Sequence, residues 1–122
     1  MSKQKVIICH DLNENLRSAI ASCPHDKLFI LVDEHTRQLC LPLIADMECM
    51  QQAYVITIGA EDIHKNLETL AYVWKELGDH GATRHSLMIN LGGGMVTDLG
   101  GFAASTFKRG IPYINIPTTL LA

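Results

Sequence analysis

The stretch from Ser86 to Asp98, SLMINLGGGMVTD, decides the fold of this 122-residue chain. Its first six residues, ending at Leu91, form an apolar run that predicts a buried β-strand. Three glycines follow at once, and a helix is predicted from about Met95 to Lys108. The order strand, glycine loop, helix indicates a place where the backbone approaches a ligand, because glycine has no side chain to hold the ligand away.

The predicted helix presents unpaired N–H groups and the positive end of its dipole to the loop, which suits a pyrophosphate. The loop departs from the common dinucleotide fingerprint, since G-x-G-x-x-G counted from Gly92 puts Thr97 at the last glycine. A tight strand-to-helix turn is the alternative. Asp98, predicted in the first helical turn, either hydrogen-bonds a ligand or serves as a helix-terminus carboxylate. Gly100 and Gly101 predict close packing of this helix on the sheet or on another chain.

Outward from the loop, strand-like and helix-like segments alternate along the chain. Strands are predicted at 6–9, 28–32, 54–58, 86–91 and 113–116, and helices are predicted from the spacing of Leu12, Leu16, Ala19 and Ile20, of Leu39, Leu43 and Ile44, and of Leu67, Leu70, Val73, Trp74 and Leu77. Pro42 begins or kinks the second of these helices. Lys108 and Arg109 are predicted at the end of the helix that begins at about Met95. This alternation predicts an α/β fold with a Rossmann-like parallel sheet and helices on both faces.

Composition limits the function. Apolar residues make up 48% and charged residues 19% of the chain, which are ordinary values for one globular domain. The net charge of -3 argues against nucleic acid as a partner, and no apolar run has the length of a membrane span. We therefore expect a cytoplasmic protein. The four cysteines and six histidines show no local metal-ligand spacing, so no metal site is predicted.

The last third of the sequence resembles 3-dehydroquinate synthases. The resemblance rests on GGGMVTDLGGFAA at 92–104, on KRGI at 108–111 and on IPTTLLA at 116–122. It is looser but in register upstream, through Val32-Asp33 and Asp62-Ile63-His64-Lys65. The whole chain, 1–122, is thereby interpreted as the NAD-binding N-terminal domain of such an enzyme, without its C-terminal helical domain.

The resemblance implies an activity. That family converts 3-deoxy-arabino-heptulosonate 7-phosphate to 3-dehydroquinate in the shikimate pathway of aromatic amino acid biosynthesis, by eliminating phosphate and closing a ring. NAD is the recycled cofactor, and a divalent metal, zinc or cobalt, belongs to the full-length enzyme. The family's metal ligands lie beyond residue 122, so the chain is expected to be inactive alone and to hold no catalytic residue. A homodimer is expected.

Carried over residue by residue, the resemblance implies a cofactor site and one substrate contact. The cofactor-binding residues are Asp33, Asp62, Lys65, Gly93, Gly94, Met95, Val96, Thr97, Asp98, Thr118 and Thr119. Gly93 to Asp98 match the pyrophosphate loop, and Asp33 matches a carboxylate that binds a ribose hydroxyl. Asp62 stands where many relatives have glutamate. Arg109 matches an arginine that reaches across the dimer to the neighbour's substrate phosphate.

Each of these roles has a plainer alternative. Asp33 is otherwise a helix cap, Lys65 a solvated surface lysine, and Arg109 a cation at a helix end. At the level of function, the alternatives are a cyclitol-forming cyclase or a metal-dependent polyol dehydrogenase of the same superfamily. A third interpretation is a non-catalytic nucleotide-binding or assembly module, which a gene encoding only these residues would favour, because such a chain would expose an apolar face that the C-terminal domain normally covers.

Overall fold

A computed structural model describes residues 4–6, 12–59 and 66–118 of the chain. Five strands in this part form one sheet in which every neighbouring pair is parallel. They are β1 (Gln4–Val6), β2 (Leu28–Asp33), β3 (Tyr54–Ile58), β4 (Leu87–Gly92) and β5 (Tyr113–Pro117), in the order β1-β5-β4-β2-β3. The α/β, Rossmann-like fold predicted from the sequence is confirmed.

Helices cover both faces of the sheet. They are α1 (Leu12–Ala21), α2 (Glu34–Leu39), α3 (Pro42–Ala45), α4 (Asn66–Asp79) and α5 (Gly94–Thr106), with 3-10 turns at Glu48–Met50 and Phe107–Arg109. Leu16 of α1 and Ile44 of α3 belong to the apolar core on one face. Leu70 of α4 and Ala104 of α5 belong to the core on the other face. No helix within the described ranges is long and apolar enough to cross a membrane.

The core explains the apolar strands. All six residues of β2 and all six of β4 are buried, because both strands are central and both of their faces are covered. β3 has the predicted bounds, and the ends of β2, β4 and β5 differ from the predicted ones by at most one residue. The predicted run at 6–9 overlaps β1 only at Val6, and its remaining residues lie outside the described part.

Three helix predictions need correction. The segment around Pro42 forms two helices, because proline occupies the first position of α3 and α2 ends before it. Leu67, assigned to the buried stripe of α4, is 80% exposed. α5 ends at Thr106, so Lys108 and Arg109 lie beyond it and not in its last turn. Their backbones are left-handed, with φ angles of 45° and 71°.

The predicted close packing of α5 on the sheet is confirmed. A β-carbon on Gly100 would collide with the side-chain amide of Asn90 on β4, and one on Gly101 would lie 3.3 Å from the ring of Tyr113 on β5. Trp74 of α4 donates its indole N–H to the hydroxyl of Thr106, 3.2 Å away. Contacts with two strands and one helix therefore hold α5 in place.

The sheet is extended in opposite directions from its two central strands, β2 and β4. From β2 the chain continues through α2 and α3 to β3 on one side, whereas from β4 it continues through α5 to β5 on the other side. The helices that follow β2 and β4 lie on opposite faces of the sheet. In open parallel sheets, ligands bind in the crevice at the carboxyl ends of two such strands.

Candidate functional site

Three residues lie level with one another at the carboxyl edge of the sheet. Gly92 is paired with Pro117 across β4 and β5. The register of β2 on β4 pairs Leu31 with Asn90, so two residues further on Asp33 is level with Gly92. Asp33, the glycine loop and the segment after Pro117 were separate predictions from the sequence, and the strand order brings them to one edge.

The N-terminus of α5 opens onto this row. Gly93 is the N-cap residue, and it provides no side-chain hydrogen bond to the helix. The first helical bond runs from the N–H of Thr97 to the carbonyl of Gly93, at 3.0 Å. The N–H groups of the three residues before Thr97 precede that bond, as at any helix start. They are the donors that an anion would use.

The reason for glycine differs among the three positions of the loop. A β-carbon on Gly92 would lie 2.6 Å from the Cβ of Val96, so internal packing requires glycine there. Gly93 has φ -74°, and at Gly93 and Gly94 an added β-carbon would meet no described atom within 4 Å. Neither packing nor a positive φ requires glycine at these two positions. Their missing side chains leave open space in front of the helix N-terminus, as close approach of a ligand demands.

Asp33 is the N-cap residue of α2, as the plainer sequence interpretation held. Its Oδ1 accepts from the N–H of Thr36 at 2.8 Å, and the hydroxyl of Thr36 accepts from the N–H of Asp33 at 3.0 Å. This reciprocal capping box fixes the carboxylate at the crevice. Within the described residues the carboxylate accepts from the N–H and from the hydroxyl of Thr36, and both hydrogen bonds end on Oδ1. Thr36 was missed from the sequence, although its position three residues after Asp33 is the usual capping spacing.

A thiol lies in the electrostatic field of the same carboxylate. Burial, and secondarily the negative charge of Asp33, raise the pKa of Cys40 above its ordinary value of 9.0. The thiol of Cys40 is therefore neutral at physiological pH and a poor nucleophile.

The remaining loop residues present different groups to the edge. The side chain of Val96 is buried against Gly92, and the hydroxyl of Thr97 donates back to the carbonyl of Gly94 at 3.0 Å. These two residues therefore offer backbone rather than side-chain contacts. Met95 is half exposed. Asp98 is exposed and is the fifth residue of α5, so it lies in the second turn and not in the first turn as predicted.

The other predicted residues lie elsewhere. Thr118 directly follows the row at Pro117 and is partly exposed. Asp62, Lys65 and Thr119 lie outside the described residues. Arg109 precedes β5, at the amino edge of the sheet, and the 13 residues of α5 separate it from the loop by about 20 Å. Arg109 and the glycine loop of the same chain therefore do not form one site.

Two clefts also open at the amino edge, with volumes of ≈ 380 Å³ and ≈ 690 Å³. The smaller cleft includes Arg84 and Gly110, and the larger includes Lys27 and Tyr54. Both clefts lie at the edge of the sheet opposite the glycine loop. Within the described ranges, no three His, Cys, Asp or Glu side chains are grouped as metal ligands.

Comparisons with known proteins agree with this geometry. The chain is 52% identical over all 122 residues to the 3-dehydroquinate synthase of Parabacteroides distasonis, of which it covers 35%. Its fold matches a crystal structure of 2-deoxy-scyllo-inosose synthase solved with carbaglucose-6-phosphate, NAD+ and Co2+, with a TM-score of 0.78 and 20% identity over 96% of this chain and 32% of that one. It also matches 2-epi-5-epi-valiolone synthase from Streptomyces hygroscopicus subsp. jinggangensis 5008, solved with NAD+ and Zn2+, with a TM-score of 0.73 and 28% identity over 97% and 33% of the two chains.

A parallel sheet with a glycine loop at its switch point defines the dinucleotide-binding class of α/β domains. Within that class, the sequence profile described as 3-dehydroquinate synthase N-terminal matches residues 55–122. The chain belongs to this family. It spans about a third of the length of the curated relative from Parabacteroides.

Proposed function

We propose that the chain is the NAD-binding portion of a 3-dehydroquinate synthase. The complete enzyme would eliminate phosphate from 3-deoxy-arabino-heptulosonate 7-phosphate and form 3-dehydroquinate in the shikimate pathway, as a cytoplasmic homodimer. The observation that carries the cofactor assignment is the open helix N-terminus at Gly93 and Gly94, level with Asp33. Membership of the family supports the choice of reaction.

The residues at the edge fit a dinucleotide. The N–H groups of Gly94, Met95 and Val96 would donate to the pyrophosphate, with the positive end of the α5 dipole behind them. Asp33 would accept a ribose hydroxyl through its carboxylate, which the capping box already holds in one orientation. The hydroxyl of Thr118 follows the same row. Bound NAD supplies a hydride acceptor and donor.

Asp62, Lys65, Asp98 and Thr119 complete the proposed cofactor site. Asp98 would accept a hydrogen bond from the ligand at the exposed side of α5, and the other three are proposed from their positions in the family motif. A divalent metal, zinc or cobalt, belongs to the complete enzyme in this proposal. The Co2+ and Zn2+ of the two solved relatives support that assignment. The fragment alone is proposed to bind NAD without turnover.

Arg109 is proposed to act on the partner subunit. On its own chain it lies at the edge of the sheet opposite the glycine loop, so a contact with the substrate phosphate has to come from a second copy. Guanidinium binds phosphate in a bidentate manner. In the complete enzyme, inactive Arg109→Ala and inactive Asp98→Ala subunits should regain activity when mixed, because a hybrid dimer contains one intact site. Failure of formed hybrids to regain activity would place Arg109 outside the partner's site.

Calorimetric titration of NAD into the chain tests the cofactor assignment. Gly94→Ala should weaken binding at least about tenfold, because its methyl group occupies the space in front of the helix. Asp98→Ala should also weaken binding. Gly78→Ala in α4 is the matched control, since its β-carbon meets no described atom within 4 Å and it lies far along another helix. Equal affinity of the Gly94 and Gly78 variants would remove the loop from the site.

A related sugar-phosphate cyclase is the second candidate, because both solved structures named above are cyclitol-type synthases with the same fold. The substrate separates the two candidates. The complete enzyme should release phosphate from the heptulosonate phosphate for the first function. Release of phosphate from a seven-carbon or six-carbon sugar phosphate that lacks a carboxylate, with no release from the heptulosonate phosphate, would favour the second function.

A further inference from the structure

Two asparagines face each other beneath α5. Asn90 on β4 is fully buried and Asn115 on β5 is 8% exposed, and the two residues are paired in register. The side-chain N–H of Asn90 donates to Oδ1 of Asn115 at 3.0 Å. The core on this face otherwise consists largely of apolar side chains. A buried amide pair costs stability relative to apolar residues that fill the same volume, so its presence calls for a structural reason.

The other end of the Asn90 amide faces the helix. Its Oδ1 has no hydrogen-bond partner within the described part of the chain. A β-carbon on Gly100 would overlap this oxygen and would lie 2.8 Å from Nδ2. The amide of Asn90 thus fills the place that a side chain at position 100 would take. Glycine inside α5 and an unpaired buried carbonyl both destabilise the fold.

The pair lies close to the candidate site. Asn90 is two residues before Gly92, and Asn115 is two residues before Pro117, so the amides occupy the row next to the carboxyl edge. Gly100 is six residues after Gly94, which corresponds to about 9 Å along the helix. Because the intervening helix is continuous, the depth of α5 at Gly100 sets the height of the loop amides above β4 and β5.

We propose that Asn90 and Asn115 are positioning residues. Their amide pair, with Gly100 packed on it, fixes the depth of α5 and hence the position of the N–H groups that bind the cofactor phosphates. The proposal rests on the proposed NAD site for its function, but the packing relationship can be measured without ligand. Asn115 accepts the hydrogen bond that orients the Asn90 amide, and the Asn90 amide packs against Gly100 of α5.

A double-mutant cycle with Asn90→Ala and Gly100→Ala tests the proposal. Gly100→Ala should shift the amide resonances of Gly93, Gly94 and Met95 in ¹H–¹⁵N spectra, because the new methyl group pushes α5 from the sheet. It should also weaken NAD binding about tenfold at a temperature where the protein is folded. In the double variant the collision is absent, so resonances and affinity should return most of the way to those of the wild type.

Gly101→Ala is the control, because its β-carbon would lie 3.3 Å from the ring of Tyr113, a partly exposed side chain that can shift slightly, and not against the buried amide pair. It should leave the loop resonances close to the wild type whether or not Asn90 is present. A merely structural role for the pair would change the unfolding temperature and leave the loop resonances and the NAD affinity unchanged. If Gly100→Ala does not fold alone, Asn90→Ala must restore folding.

The outcomes separate the two proposals. The positioning role is overturned if a folded Gly100→Ala variant leaves the loop resonances in place, or if their shift persists fully in the double variant. The loop resonances could shift in Gly100→Ala and return in the double variant although the protein does not bind NAD. This result would support the packing relationship and refute the cofactor assignment for this chain.

Discussion

A β-carbon on Gly92 would lie 2.6 Å from the Cβ of Val96, so the last residue of β4 and the first turn of α5 are in direct backbone-to-side-chain contact. Val96 is the buried residue that closes the turn. Gly92 is therefore a packing glycine, whereas Gly93 and Gly94 are open to the crevice. The same three-glycine run contains two kinds of position.

Gly92→Ala should destabilise the fold by about 1–3 kcal/mol, as overpacking of a closed contact does. Gly78→Ala should stabilise it by roughly 0.5–1 kcal/mol, because that residue is exposed inside α4 with open space around it. Denaturant unfolding of the two variants measures the difference. A Gly92→Ala variant as stable as the wild type would contradict the close packing of Val96.

Substitutions at Asp33 and Thr36 should separate capping from ligand binding. Asp33→Ser retains a side-chain acceptor for the helix, so it should change the free energy of unfolding by less than about 0.5 kcal/mol. It should nevertheless weaken NAD binding, because the ribose loses a charged acceptor. Thr36→Ala should cost about 1 kcal/mol of stability and leave NAD affinity nearly unchanged, because the backbone N–H at position 36 still donates to Oδ1 of Asp33. Unfolding and calorimetry on both variants provide the two measurements.

Asp26 should make stability depend on pH at the amino edge. The hydrogen bond from the hydroxyl of Thr83 is the main cause that lowers its pKa below 3.8; burial opposes it, and a hydrogen bond from Ser86 at 2.7 Å lowers it further. Because the folded-state pKa is the lower one, the stabilisation is fully present above the unfolded-state pKa and is lost as pH falls through the folded-state pKa.

Asp26→Asn should therefore reduce stability at neutral pH, by about 1 kcal/mol or less because the carboxylate is exposed to solvent. The difference from the wild type should disappear in acid below the folded-state pKa of Asp26. Thr83→Val should also lower the free energy of unfolding more at neutral pH than in acid. Unfolding curves across acid and neutral pH decide the matter, and a difference that persists undiminished in acid would contradict this origin.

Arg109 should be strained in the native fold. Its φ of 71° is unfavourable for any residue with a β-carbon. Arg109→Gly should therefore be more stable than Arg109→Ala by about 1 kcal/mol, because only glycine relieves the strain. Both variants lack the guanidinium, so both should abolish activity of the complete enzyme if the partner-site role is correct. Equal stability of the two variants would argue against a strained backbone at this position.

Much of the fold follows from local patterns. Apolar runs such as Leu28 to Val32 identify the strands, because central parallel strands are buried on both faces. Pro42 and the terminal helix positions were harder to place, since a proline is compatible with a helix start and with a kink. Leu67 fits the helical stripe by spacing and is exposed, because spacing does not reveal where the neighbouring elements end.

Sequence reasoning proposed the residues of the candidate site one by one, but it did not propose how they are arranged. The glycine loop and Asp33 were identified from the sequence and its family resemblance. Their common level at the carboxyl edge depends on the order of β2 and β4, which no local pattern encodes. The Asn90–Asn115 pair was not predicted either. It depends on the register of two strands 25 residues apart and on a helix that packs over them.

The length of α5 is constrained at both ends. Gly94 begins the helix at the carboxyl edge, and Lys108 and Arg109 follow it at the amino edge. One inserted residue would rotate everything beyond it by about 100° and move it by 1.5 Å, so Gly100 and Arg109 could not both keep their places. Insertions and deletions among natural variants should therefore be rare between residues 94 and 109.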